Sequence, residues 1–325
     1  MAKAEQSFLS TLSPKNLRGL FVTTFNEWLA DKAPAQGAAL AYYTVFSLAP
    51  LILVLLAIIG VIFRKDPSGA WDKITDQMRY VLSPSGIEVV QDIAKTAAKP
   101  SANVLASIIG VALALFGASG VFGQLQDALN TIWGVKAKPG AAFWDFIRIR
   151  FLSFAMVAGV CFLLLVSLTV EALLKAFSHY IEHALPGGMG IAVAVYLVVD
   201  LVLVLLLFAM MFKYLPDVEV RWRDVIVGAA MTAVLFLVGK WALGLYLGSG
   251  AAASAYGAAS SLVTLLLWIY YSSQILLFGA EFTQVYANRF GAGGKPSKHA
   301  VCVETSEKEV SAPGQLPPGQ RNARR

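Results

Sequence analysis

Six long apolar segments run along the chain, separated by shorter stretches that carry charged side chains. Each is close to the roughly 20 mostly apolar residues that an α-helix needs to cross a hydrocarbon layer about 30 Å thick. None shows the alternation of apolar and polar positions found in membrane β-barrels. The pattern therefore predicts an all-α integral membrane protein with six transmembrane helices. The predicted spans cover residues 38–63, 103–123, 149–174, 189–213, 225–249 and 257–284.

The remaining segments predict three features outside these spans. Residues 17–32 have apolar side chains at spacings of three and four, which predicts an interfacial helix within a cytoplasmic N-terminal segment, 1–37. Two shorter amphipathic patterns predict an external helical hairpin at 66–100. Residues 289–325 are rich in Gly, Pro and charged side chains, which predicts a disordered cytoplasmic tail beyond the membrane domain, 38–288.

Composition and charge agree with a membrane location and give an orientation. Hydrophobic residues make up 57% of the 325 residues and charged residues 14%, a balance that excludes a soluble globular protein. Eighteen Lys and Arg lie on the side that holds both termini, against seven on the other side. Because Lys and Arg resist translocation, both termini are expected in the cytoplasm. The net charge of +6 then reflects topology and contact with membrane lipids, and no nucleic acid partner is expected.

Two charged residues fall well inside predicted spans. Asp200 lies in span four and Lys240 in span five, at depths that differ by only a few ångström at about 1.5 Å per residue. Charges within the hydrocarbon zone are costly and usually face a partner or a cavity. The two residues are therefore predicted to form an ion pair. It serves either substrate binding and coupling or the locking together of two helices.

A polar stripe follows one face of span six. Its members are separated by four, seven, three and seven residues, so they face either other helices or a hydrated substrate path. Glu281 is expected to stay ionised because it lies near the cytoplasmic interface. The stripe consists of Ser260, Thr264, Tyr271, Gln274 and Glu281.

Other residues mark a candidate helix break or gate. Pro50 lies within span one, where proline removes a backbone hydrogen bond and bends a helix. Gly117 and Gly120 loosen span two or let another helix approach closely. Three polar residues share a face where span two leaves the membrane, and they either bond neighbouring helix ends or form a cytoplasmic gate. They are Gln124, Asp127 and Asn130.

Metal and cofactor chemistry is not indicated. His179, Glu182 and His183 form an H-x-x-E-H pattern typical of a class of zinc peptidases, but no downstream carboxylate on the same side supplies a third ligand. No phosphate-binding loop or dinucleotide-binding motif is present. We therefore expect no metal, no cofactor and no catalytic residues.

Four stretches of the chain resemble one bacterial membrane family, the YihY/BrkB family, whose members have often been labelled ribonuclease BN. The resemblance implies a six-helix inner-membrane protein, linked in some members to serum resistance or envelope lipid handling, without agreed catalytic residues. The ribonuclease label is not expected to apply, because the cytoplasmic connections have no histidine and no carboxylate cluster for a metal. The stretches are AALAYYTVFSLAP (Ala38–Pro50), GASGVFGQLQDALNTIW (Gly117–Trp133), KYLPDVEVRWRDVIVG (Lys213–Gly228) and YGAASSLVTLLLWIYYSSQILLFGAEFTQVY (Tyr256–Tyr286).

These observations favour a transporter or translocase for an amphipathic or lipid-linked, small anionic substrate. The bent and glycine-rich spans and the pair Asp200 and Lys240 support this hypothesis. The alternative is a non-catalytic envelope scaffold that binds partners through the external hairpin. The sequence leaves open a homo-oligomer.

Overall fold

The computed structural model describes residues 14–62, 87, 91, 120–138, 188–248, 260–298 and 300–303. Long α-helices dominate this part of the chain, and four short strands lie between or after them. The helices are α1 (Pro14–Ala30), α2 (Ala33–Ile62), α3 (residues 120–132), α4 (Gly188–Tyr214), α5 (Trp222–Gly248) and α6 (Ser260–Phe290). The strands are β1 (Val135–Ala137), β2 (Val218–Glu219), β3 (Lys295–Pro296) and β4 (Ala300–Cys302).

Four of the helices coincide with predicted spans. Helices α2, α4, α5 and α6 occupy the first, fourth, fifth and sixth spans within a few residues. Three of them contain an apolar stretch long enough to cross a membrane, at Leu197–Tyr214, Trp222–Leu243 and Leu262–Phe290. The second and third spans lie outside the described residues, apart from 120–123. The external hairpin also lies outside them, apart from residues 87 and 91, which are both helical.

A two-residue turn, Asp31 and Lys32, joins α1 to α2. Lys32 has a φ of 54°, the left-handed conformation that often ends a helix, and its N–H bonds the carbonyl of Leu29 at 3.1 Å. Both helices then pack against α6. On the α1 side, the Phe21 ring lies 5.6 Å from the ring of Phe282.

Helices α5 and α6 pack antiparallel through reciprocal Gly and Thr contacts. Thr283 of α6 lies directly against Gly228 of α5, and Thr232 of α5 lies directly against Gly279 of α6. Each hydroxyl donates a 2.7 Å hydrogen bond to a carbonyl of its own helix, Thr232 to Gly228 and Thr283 to Gly279. Small residues with internally bonded threonines allow two membrane helices to approach closely without unpaired hydroxyl groups. These contacts fix the register of α6 on α5.

Two small antiparallel sheets link the segments that follow α3, α4 and α6 at one end of the helices. Strand β1 pairs with β4, with Lys136 opposite Val301, and β2 pairs with β3, with Val218 opposite Pro296. We call this assembly, β1 to β4 with residues 291–303, the strand cap. Since β1 follows α3, β2 follows α4 and the other two strands follow α6, those three helix ends lie at the same end of the bundle.

The strand cap corrects the predicted disorder of the tail, 289–325, for residues 289–298 and 300–303; residues 304–325 lie outside the described residues. Helix α6 continues to Phe290, and the glycine-rich segment after it ends the helix, with Gly293 at a φ of 68°. The following backbone is paired with other connections: the Val303 N–H bonds the carbonyl of Gly134 at 2.8 Å, and the Ser297 N–H bonds that of Asp217 at 2.9 Å. The prediction of disorder rested on composition. Short strands that depend on partners far away in sequence leave no signal in composition.

The main apolar core lies beside the strand cap. Leu129, Phe212, Leu215, Val225 and Leu277 are buried there, together with Val135 and Val218 of the strands. A second cluster of Leu20, Phe282 and Val285 fastens α1 to α6. The last helix therefore contacts both clusters and carries polar side chains between them.

Candidate functional site

Two acidic side chains meet where the α1–α2 turn packs against α6. Glu281 of α6 is only 1% exposed, and Asp31 of the turn is half-buried. Their carboxyl groups lie close enough to share a hydrogen bond. Such a bond requires a proton on one of the two groups, since two carboxylates have acceptors only. We call Asp31 and Glu281 the acid pair.

The surroundings of the acid pair disfavour negative charge. Burial raises the pKa of Asp31 above its ordinary value, the hydrogen bond from Glu281 acts in the opposite direction, and the nearby charge of Glu27 raises the pKa further. Glu281 is the more deeply buried partner, so we expect the shared proton on Glu281, with Asp31 accepting its hydrogen bond. The sequence predicts an ionised Glu281 near the interface, whereas the structure buries this side chain where α1 and its turn pack against α6.

Gln274 extends the polar surface of α6 beyond Glu281. Its Nε2 donates to the carbonyl of Pro34 at 3.5 Å, and its amide packs directly against Gly37 of α2. On the same turn of α2, the amide of Gln36 donates to the carbonyl of Asp31 at 2.7 Å. Two glutamine amides thus connect the first turn of α2 with the acid pair and with α6.

Asp200 and Lys240 form the ion pair that their depths predicted. Lys240 Nζ of α5 lies 3.8 Å from Oδ2 of Asp200, which is near the middle of the 27-residue helix α4. Both side chains are partly buried. Tyr271 of α6 packs its ring and hydroxyl directly over Gly239, next to Lys240. Helix α6 therefore contacts α5 through Tyr271, at the residue before Lys240, and the α1–α2 turn through Glu281, with Gln274 between them in sequence. We call six residues the polar seam: Asp31, Asp200, Lys240, Tyr271, Gln274 and Glu281.

The other members of the predicted stripe contribute less. Thr264 is buried, and Ser260 is the first residue of α6. Phe278, on the same face, has its ring 6.5 Å from that of Phe21 and helps to seat α1. The stripe thus contacts neighbouring helices along most of its described length.

A second polar cluster ties α3 to the strand cap. Asp217 Oδ2 accepts hydrogen bonds from Gln126 and Asn130, both at 3.0 Å, and the Asp217 N–H donates to Asn130 Oδ1 at 2.8 Å. All three residues are buried. Of the predicted trio, Asn130 takes part, whereas Asp127 is exposed and Gln124 is partly buried. Gln126 and Asp217 were not among the predicted site residues, although both lie in stretches that carry the family resemblance.

The structure answers the prediction of a helix break differently at each of the residues proposed for it. Helix α2 continues through Pro50 to Ile62, so this proline does not end the helix. Long membrane helices tolerate the loss of one backbone bond when neighbours compensate. A side chain at Gly120 would lie 3.3 Å from the Tyr43 ring, which shows a close approach of α3 to α2. Gly117 lies outside the described residues.

Helices of membrane-spanning length and polar residues between them define the class: this is a helical membrane protein. Residues 24–302 match the family model described as Virulence factor BrkB, and the chain belongs to that family. A UPF0761 membrane protein from Azotobacter vinelandii is 26% identical over 259 residues, which are 79% of this chain and 60% of the relative. One from Teredinibacter turnerae is 27% identical over 290 residues, or 84% of this chain and 62% of the relative.

The chain thus spans about three fifths of the length of these curated relatives. A relative from Stenotrophomonas maltophilia, also named as a UPF0761 membrane protein, is 26% identical over 81% of this chain and 59% of its own length. No solved structure matches the chain.

Proposed function

We propose that this protein is a transporter or translocase of the bacterial inner membrane that moves an amphipathic or lipid-linked anionic substrate along the polar seam. In this proposal six helices cross the membrane, and both termini and the strand cap face the cytoplasm. No catalytic step is assigned to the chain. The observation that carries the proposal is the ion pair of Asp200 and Lys240 within helices of membrane-spanning length.

The geometry of the ion pair favours exchange of partners over a permanent lock. A charge-assisted hydrogen bond between an ammonium and a carboxylate is typically about 2.7–2.9 Å long, whereas Nζ of Lys240 lies 3.8 Å from Oδ2 of Asp200. An ammonium group has three donors. Lys240 can therefore bind a phosphate or carboxylate of a substrate in place of, or beside, Asp200.

The position of Tyr271 supports the same interpretation. Its hydroxyl lies against Gly239, one residue before Lys240, and a phenol can donate a hydrogen bond to an anionic head group. Close packing at Gly239 also makes the position of Tyr271 depend on the spacing of α5 and α6. A substrate bound at Lys240 would thereby act on both helices.

A vesicle assay tests the proposal. The full chain is reconstituted in vesicles of phosphatidylethanolamine and phosphatidylglycerol that contain a trace of NBD-labelled phosphatidylglycerol, and dithionite bleaches label in the outer leaflet. We expect wild-type vesicles to expose inner-leaflet label that protein-free vesicles protect, and NBD-phosphatidylcholine to move more slowly. Lys240→Ala is expected to slow movement at least tenfold, Lys240→Arg to retain most of it, and the control Lys295→Ala, at an exposed position, to leave it unchanged.

The outcomes separate the alternatives. If wild-type vesicles protect the label as well as protein-free vesicles do, this result would contradict translocation of this lipid. Unchanged movement in an Asp200→Ala, Lys240→Ala double variant would exclude the ion pair as the substrate site. Absence of movement, combined with loss of cellular function on deleting residues 68–98, would favour the envelope scaffold.

A further inference from the structure

We infer that Asp31 and Glu281 form a proton-binding site that couples proton uptake and release to movement of the substrate. The coupling rests on the proposed function, whereas the binding of the proton does not. The two carboxyl groups lie within hydrogen-bonding reach of each other where α1 and α2 pack against α6, and Glu281 is buried there. This places a dissociable proton between the N-terminal helices and the last helix.

A second observation points to the same place. Glu281 is 1% exposed, and its Oε1 has no hydrogen-bond partner among the described residues. Buried polar atoms nearly always have a partner in protein or ordered water. Four further unpartnered buried atoms lie on the helices that meet at the acid pair: Thr24 Oγ1 and Trp28 Nε1 on α1, Gln36 Oε1 on α2 and Gln274 Oε1 on α6. Both donors and acceptors are represented among these atoms.

The charges around the pair favour its protonated form. From α1, Glu27 faces both acids, and α2 contributes the uncharged amide of Gln36. On α6, Arg289 lies two turns beyond Glu281 and packs over Gly19. Lys32, next to Asp31, is exposed. Within the described residues, the charged groups that act on Glu281 are therefore the acids Asp31 and Glu27.

Release of the proton changes how the helices interact. The O–H bond of Glu281 breaks, the proton passes to water, and two carboxylates remain where one hydrogen bond had joined them. Like charges a few ångström apart repel strongly in a poorly solvated site. Because Asp31 belongs to the α1–α2 turn and Glu281 to α6, deprotonation separates the turn from α6. Gln274 bonds Pro34 at the start of α2, so the same movement reaches the middle of the polar seam.

Infrared difference spectroscopy tests proton binding without any transport. The full chain in phosphatidylethanolamine and phosphatidylglycerol vesicles is titrated from mildly acidic to alkaline pH, and the carbonyl stretch of protonated carboxyl groups is followed. We expect a band that persists at neutral pH, disappears at alkaline pH and is absent in Glu281→Gln. Asp31→Asn should keep the band but shift its titration, and Glu219→Gln, at an exposed position of β2, should leave it unchanged. No such band in the wild type, or an unchanged band in Glu281→Gln, would overturn the proton site.

The vesicle assay repeated over the same pH range tests coupling. We expect the rate of NBD-phosphatidylglycerol movement to depend on pH in the wild type and to lose that dependence in Glu281→Gln and in Asp31→Asn. Should either variant fail to fold, the other and the conservative Glu281→Asp, which keeps a titratable group, still decide the question. A persistent band without lipid movement would contradict the proposed function alone. Movement with no band would overturn the proton site and with it the coupling, and a band with a pH dependence of movement unaltered in the variants would overturn the coupling alone.

Discussion

Glu281 and Asp31 are two acids that lie where a negative charge is costly. One proton shared between them removes one charge and supplies one hydrogen bond, which is the least costly arrangement for two carboxyl groups in contact. A pair of this kind titrates as a unit. Its protonation should therefore affect stability as well as any transport cycle.

Stability is expected to depend on pH through the acid pair. The pKa of Asp31 in the folded protein lies above its ordinary value of 3.8 because of burial and the charge of Glu27. The folded state therefore binds a proton more readily than the unfolded state. This contribution to stability is full below pH 3.8 and is lost as the pH rises through the folded pKa.

Thermal unfolding in detergent at a series of pH values measures this effect. The unfolding temperature of the wild type should fall as the pH rises above 3.8, and Asp31→Asn should flatten that slope. Glu219→Gln should retain the slope of the wild type. A slope that is the same in Asp31→Asn and in the wild type would contradict the assignment.

Some residues of the polar seam can be recognised in the sequence and others cannot, for a physical reason. Asp200 and Lys240 are recognisable because a charge within an apolar span is rare and demands a partner. Asp31 gave no such signal, since an acid in a polar N-terminal segment is ordinary. Only the packing of α1 and its turn over α6 buries Asp31 against Glu281 and changes the ionisation expected for both.

At the scale of elements, the α5–α6 contact depends on the absence of side chains at specific glycines. A methyl group added at Gly279 would overlap the side chain of Thr232, and one added at Gly228 would overlap that of Thr283. An added Cβ at Gly123 of α3, in contrast, has no atom of the described residues within 4 Å. The same substitution is therefore expected to have different effects at the two kinds of position.

Gly279→Ala is expected to destabilise the protein by about 1–3 kcal/mol, the usual cost of overpacking a tight contact. Gly123→Ala should be neutral or slightly stabilising, because alanine favours the helix by about 1 kcal/mol relative to glycine. Unfolding temperatures in detergent compare the two variants directly. Equal destabilisation by both would show that the α5–α6 contact is not as close as the structure has it.

The long helices were predictable from hydropathy, whereas the strand cap was not. Helices α4 and α5 agree with the predicted spans because a long apolar run in a membrane protein has few alternatives to helix. The strands of the cap have two or three residues each and pair over long sequence distances, as Ala137 does with Ala300. Short strands leave no periodic signal, and a glycine-rich tail looks the same whether or not it finds a partner.

At the scale of the whole molecule, the strand cap gives a direct test of orientation. Cys302 lies in β4, is unpaired and is exposed. The proposed topology places the cap in the cytoplasm. In a Cys161→Ser background, a membrane-impermeant maleimide should label Cys302 in inverted inner-membrane vesicles and leave it unlabelled in intact spheroplasts. Labelling in spheroplasts would reverse the proposed orientation.

The central claim is that the polar seam carries an anionic amphipathic substrate across the membrane. The most direct measurement is the dithionite bleaching of NBD-phosphatidylglycerol in vesicles that contain the wild type, Lys240→Ala or no protein. We expect rapid loss of protection with the wild type and slow loss with Lys240→Ala, close to that of protein-free vesicles. Equal rates for the wild type and Lys240→Ala would contradict transport along the polar seam.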